Sequence, residues 1–181
     1  MDMKMFGEMY RNTMNDDFVK EILKHGWKKN DIYTIESNDI NPPKELFDLC
    51  SRFSFLSNSH ENSWIYSVNY YKSKLDVAFE CDFSNIQPRI CHASKQTEEI
   101  NLFWQNQVPF AASVKYGHSY ISYNKANGSI WTGTEPEHED SAEEICASLE
   151  KFKVIIIEHL SGVKINSLLE DFLRAYASLV N

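Results

Sequence analysis

The chain is poor in the residues that would excuse it from building a core. Its 181 residues include only four cysteines, five prolines and six glycines. Gly and Pro at that level exclude a collagenous or low-complexity chain. Cys50, Cys81, Cys91 and Cys146 form no C-x-x-C pair, so neither a zinc ribbon nor a thioredoxin-like motif is present. In an intracellular setting, four scattered thiols read as small buried hydrophobes. Long apolar runs are also missing. The longest aliphatic stretch, Val154-Ile155-Ile156-Ile157, falls far short of the ~20 residues that span a bilayer. The opening MDMKMFGEMYRN carries no apolar h-region, so the expectation is a soluble, cytoplasmic protein without a secretory signal.

Positive charge is short as well. There are 26 acidic against 18 basic residues, a net of −8. Seven of the acidic residues (Glu135, Glu137, Glu139, Asp140, Glu143, Glu144 and Glu150) lie in one window without Lys or Arg. The rest of the chain is almost balanced, at 19 against 18. The acidity is therefore local. Such a chain lacks the phosphate-neutralising footprint of a nucleic-acid binder, so direct contact with DNA or RNA is not expected. A focused negative patch instead attracts a cationic surface, that of a basic protein included.

What is present is an ordinary globular mixture: 43% hydrophobic, 13% aromatic and 24% charged residues. That suits one domain over residues 1–181, with no linker or repeat dividing it. Phe18, Val19, Ile22 and Leu23 share a face of a first helix, with Asn15 or Asp16 as its cap and Gly26 as its stop; whether 3–10 is helix or a frayed arm stays open. Ile32 to Ile35 suggest a short extended piece. Pro42-Pro43 leads into a second helix lined by Leu46, Leu49, Cys50 and Phe53.

The middle of the chain is strand-like. Trp64 to Tyr71 is aromatic and β-branched, and Leu75 to Cys81 alternates apolar with polar. Residues 82–101 read as polar loop or helix. Ser119 to Tyr123 and Ser129 to Thr132 flank Asn124-Lys125-Ala126-Asn127-Gly128, which predicts a β-hairpin with Asn-Gly in its turn. Ser141-x-x-Glu144 matches a capping box and predicts a helix from there, with Ile145, Leu149, Phe152, Ile156 and Leu160 on its apolar face. The β-branched run 154–157 leaves a strand as the alternative. Ser161-Gly162 ends that element, and a last helix follows over 166–180. The order of helices, strands and helices predicts an α+β domain: an antiparallel sheet flanked by N- and C-terminal helices.

Several of these segments together resemble the SUKH superfamily, which includes the yeast cell-wall-synthesis regulator and many bacterial toxin-immunity proteins. They are the Pro-led helix Pro43-Lys44-Glu45-Leu46-Phe47, the stretch Val108-Pro109-Phe110-Ala111, and Gly117-His118-Ser119-Tyr120-Ile121-Ser122-Tyr123 with Ile130-Trp131. The acidic turn leading into Ala147-Ser148-Leu149-Glu150-Lys151-Phe152 completes the set. The resemblance covers roughly residues 16–160. Two features depart from it: Ser51-Arg52-Phe53-Ser54-Phe55 stands where the family commonly has Asn-Gly after the early helix, and 165–181 lies beyond the core pattern. The resemblance implies a curved sheet that binds another protein. In bacterial members that partner is a toxin, often a nuclease or deaminase.

The candidate partner-binding residues are Glu135, Glu137, Glu139 and Asp140, with the rings of Tyr116, Tyr120, Tyr123 and Trp131 beside them. Carboxylates would steer and pair with Lys or Arg, and rings would supply the holding energy. Against this stand plainer readings. Glu143 and Glu144 complement a helix dipole. Tyr120 and Ser122 share one strand face, Ser119, Ile121 and Tyr123 the other, and one set must be core. Trp64 and Trp104 read as core.

Catalysis has weaker support. Cys91 and His92 are adjacent, and strand neighbours point to opposite faces, so a Cys–His hydrolase would need a distant histidine. The chain has no G-x-S-x-G, no phosphate-cradling glycine loop and no H-E-x-x-H. Six scattered histidines show no ligand spacing, and no metal or cofactor is expected. The leading expectation is a non-enzymatic protein-binding module that covers a cognate toxin. An intracellular regulatory scaffold is the alternative, and a small Cys–His hydrolase the more distant one. The oligomeric state is open.

Overall fold

A computed structural model describes residues 3–29, 42–67, 102–115, 117–134 and 140–173. The first helix, α1 (Met3–Lys24), is continuous from its start. Asn15 and Asp16 therefore lie inside it and cap nothing, because residues upstream of them already hold helical dihedrals. Phe18, Val19 and Ile22 form its buried stripe. Its end is the expected one: Gly26 takes φ +87°, and its N–H donates to the Leu23 carbonyl at 3.2 Å.

Helix α2 (Lys44–Cys50) follows Pro43, whose carbonyl accepts the Phe47 N–H at 2.9 Å. Proline costs nothing there, since the first turn has no internal acceptor for its missing N–H. Leu46, Leu49 and Cys50 are buried at the three-and-four spacing read from the sequence.

Among the described residues, seven antiparallel strands form an open sheet in strict sequence order: β1 (Lys28–Lys29), β2 (Phe55–Ser57), β3 (Ser63–Tyr66), β4 (Gln107–Ser113), β5 (Ser119–Asn124), β6 (Ile130–Thr134) and β7 (Glu143–Cys146). The β5–β6 hairpin stands where its turn residues place it. Gly128 alone carries the positive φ, +78°, while Asn127 Oδ1 accepts from the Ser129 N–H and hydroxyl. The expected extended pieces at 32–35 and 75–81 lie outside the described residues.

Register sorts the two faces. Leu56, Ile65, Ala111 and Ile121 align across four strands on the face that joins the helices in one core. Trp64, Ala112 and Tyr120 align on the opposite face. A β-bulge between Pro109 and Ala111 adds one residue to β4, so Phe110 and Ala111 both belong to the helix-side core. Proline is tolerated in this central strand at such an irregularity. Phe110 meets Phe152 edge-on, with ring centroids 5.6 Å apart.

The C-terminal region corrects one expectation. Residues 143–146 are strand β7, and helix α3 begins only at Leu149 and runs to Leu160. Ser141 caps no helix: its hydroxyl donates to the Thr134 carbonyl and accepts the Thr134 N–H, both at 2.8 Å, clasping the β6–β7 connection. The cap is Ser148, whose Oγ accepts the Lys151 N–H. Ile145 accordingly belongs to the sheet, while 154–157 is helical.

α3 ends in a Schellman arrangement. Val163 N–H reaches the Glu158 carbonyl, Gly162 N–H reaches that of His159, and Gly162 sits at φ +70°. A 3₁₀ turn (Ser167–Leu169), capped by Asn166, runs into α4 (Glu170–Leu173), and Phe172 packs on Trp27 with centroids 5.5 Å apart. The architecture is α+β in a single domain. Among the described residues no helix is long and apolar enough to cross a membrane.

Candidate functional site: the outer strand and its acidic approach

β6 and β7 carry the described part of the expected docking edge. β7 is the last strand of the open sheet, and its pairs run Ile130–Cys146, Trp131–Glu144 and Thr132–Glu143. A register shift between Ile130 and Trp131 inserts Ile145 as an extra residue in β7, so Cys146 is buried beside Ile130 while Glu143 and Glu144 are exposed on opposite faces. Asp140 is exposed in the turn just before them. Among the described residues none of these three carboxylates enters an ion pair. The structure therefore brings Asp140, Glu143 and Glu144 together on one rim, with no charge of the described chain neutralising it.

Of the expected rings among the described residues, Trp131 alone reaches the surface here. It is half-buried, and its indole N–H donates to Ser129 Oγ at 2.7 Å, which ties the ring to the β5–β6 turn. Tyr120 is 0% exposed and Tyr123 7% exposed, so in this structure both are packing residues and present no contact surface. Tyr120 packs obliquely on Trp104 of the helical segment 102–106, with centroids 5.1 Å apart, on the face opposite the main core. The Tyr123 hydroxyl is drawn to Glu45 of α2, and burial first, then that carboxylate, push its pKa up. Trp64 and Trp104 are half-buried on the Tyr120 face rather than in the main core. Tyr116, Glu135, Glu137 and Glu139 lie outside the described residues, as do Cys91 and His92.

The described thiols are poor nucleophiles. Burial pushes the Cys50 thiol far above its ordinary range. Cys146 is raised too, chiefly by burial, and its S–H donates to the Ser148 carbonyl at 3.3 Å. An activated cysteine needs the opposite shift. His159 is buried at the end of α3, where its Nδ1 accepts the Asn166 N–H at 3.1 Å. It braces the following turn. Among the described residues no group of three or more His, Cys, Asp or Glu side chains could hold a metal ion.

Two features escape a reading of the sequence. β7 hides because Glu143-Glu144-Ile145-Cys146 also fits a helical phase. Lys153 hides inside an apolar helix face, 2% exposed, with its ammonium 2.7 Å from Asn15 Oδ1. The available signal was Asn15 itself, a polar residue in phase with Phe18, Val19 and Ile22. No family model, curated protein or solved structure matches the chain.

Proposed function

We propose that this protein is a non-enzymatic binding module, an immunity protein that neutralises a cognate bacterial toxin by stoichiometric cover in the cytoplasm. The observation that carries the reading is the rim of exposed carboxylates at Asp140, Glu143 and Glu144, unpaired among the described residues. Like charges crowded without compensation weaken a fold. They are favourable where a cationic partner pairs with them. Membership of the SUKH superfamily, suggested by the segments from Pro43 to Phe152, supplies the kind of partner: a nuclease or deaminase domain with a basic surface.

In this mechanism the carboxylates steer the encounter and set its salt dependence, and Trp131 contributes buried area at the contact. No bond is made or broken. The two described thiols, Cys50 and Cys146, are shifted away from reactivity and offer no nucleophile.

The test is direct. The purified chain is titrated, in moderate salt, with each toxin domain encoded beside its own gene. One of them binds at micromolar concentration or tighter and loses its toxicity in co-expression. Failure of every neighbouring domain to bind overturns the immunity reading. Reversing Glu135, Glu137 and Glu139 to Lys slows association most at low ionic strength, where screening is weakest.

A further inference from the structure

We infer that the free edge of β7 is a strand-addition site, and that its occupant is an extended basic segment of the protein partner. The inference rests on the partner-binding reading above and specifies how that partner is held. Three observations support it. β7 closes an open sheet, and among the described residues it pairs only with β6, so one side of its backbone offers hydrogen-bonding groups to an incoming strand. Its outward side chains, Glu143 and Glu144, are exposed on both faces of that edge. Neither is neutralised by a described cation.

The charges select the occupant. A second copy joined edge to edge about a two-fold axis would set Glu143 and Glu144 against their own counterparts, and like charges directly opposite destabilise a strand pair. The other edge, β1, carries Lys28 and Lys29, yet the net charge of −8 opposes stacking copies of the chain. A foreign segment with Lys or Arg at alternate positions meets neither objection. Its main chain pairs with β7 while its cations lie beside Glu143 and Glu144. Backbone pairing gives affinity and the charges give choice of sequence. Trp131, cross-strand from Glu144, would flank the incoming strand on the face opposite the main core.

The experiment uses the full chain and two peptides of about ten residues, alternating Lys and Val. One has ordinary amides. In the other, alternate amides are N-methylated, so charge is kept and strand pairing is lost. NMR at low salt is expected to show shifts and slowed amide exchange at residues 143–146 with the first peptide, and at least about tenfold weaker binding of the second. The variant Glu143→Lys, Glu144→Lys, shown to be folded by circular dichroism, is expected to lose the first peptide. Equal binding of both peptides means that charge alone holds them and overturns the inference. So do absent binding and shifts that map elsewhere. A toxin domain whose affinity is unchanged by Glu143→Lys, Glu144→Lys also overturns it while leaving the immunity reading intact. Peptide binding without any toxin partner does the reverse.

Discussion

Lys153 of α3 and Asn15 of α1 are 138 positions apart in sequence, and their side chains meet at 2.7 Å inside the helix layer. Glu150 Oε2 lies 2.8 Å from the same ammonium, yet the contact lacks hydrogen-bond alignment and that oxygen has no hydrogen-bond partner. The Glu150 side chain is 41% exposed, although the oxygen facing the ammonium is itself buried. Asn15 is thus the well-aligned partner of the buried cation.

Removing that acceptor takes away the aligned hydrogen bond of a buried ammonium and leaves it with Glu150 alone. Asn15→Ala should lower stability by about 1–3 kcal/mol in urea unfolding, the cost of a buried donor left unsatisfied. Replacing both groups, Asn15→Leu with Lys153→Met, should cost less than Asn15→Ala alone, because it removes the buried ammonium together with its aligned acceptor. Equal or additive losses would refute this account of the pair.

The start of α3 offers a cleaner comparison. Ser148→Ala removes the side chain that accepts the Lys151 N–H and should destabilise the protein by about 1 kcal/mol. Ser141→Ala should leave the helix signal unchanged and instead speed amide exchange at Thr134, whose N–H the Ser141 hydroxyl accepts. Were Ser141 a helix cap, the two variants would behave alike.

In the β5–β6 turn, Gly128 is required twice over. Its φ of +78° disfavours any side chain, and an added Cβ would stand 3.2 Å from the Tyr123 hydroxyl. Gly128→Ala should cost more than Gly26→Ala. The latter residue has φ +87° but nothing within 4 Å of the same position. Both should lose on the order of 1 kcal/mol from strain, and Gly128 something further. Thermal melts of the two variants decide it.

Alkaline pH should weaken the fold. The Cys50, Cys146 and Tyr123 pKa values are all raised on folding, chiefly by burial. Unfolding therefore releases protons at high pH, and the contribution of these groups is complete below the unfolded thiol pKa of about 8.5 and lost progressively above it. Denaturant midpoints should fall as pH rises past about 9. At neutral pH, Cys50 should resist thiol reagents until the protein unfolds.

The fold class could be read from the sequence because its strongest signals were local. Pro43, Gly26, Gly162 and the turn ending at Gly128 each act on their own neighbourhood, and the structure uses all four. The sheet faces also followed from alternation at Tyr120 to Tyr123. The capping-box pattern misled because Ser141 has the same donor and acceptor chemistry whether it caps a helix or clasps a hairpin. Only the pairing of Trp131 with Glu144 decides which. The site was less legible. Aromatic spacing could not separate Trp131, which reaches solvent, from Tyr120 and Tyr123, which other parts of the chain cover. Nor could it foresee that Glu143 and Glu144 stand on a sheet edge, since edge position depends on the order of all seven strands.

That order bears on how the molecule is made. Four strands, β4 to β7, fall within 40 residues, and each lies beside the one synthesised just before it. This half of the sheet closes short loops at small entropic cost and can zip up as it leaves the ribosome. Lys153 meets Asn15 only once residue 153 has emerged, so the contact between α1 and α3 forms after all four of these strands have been made.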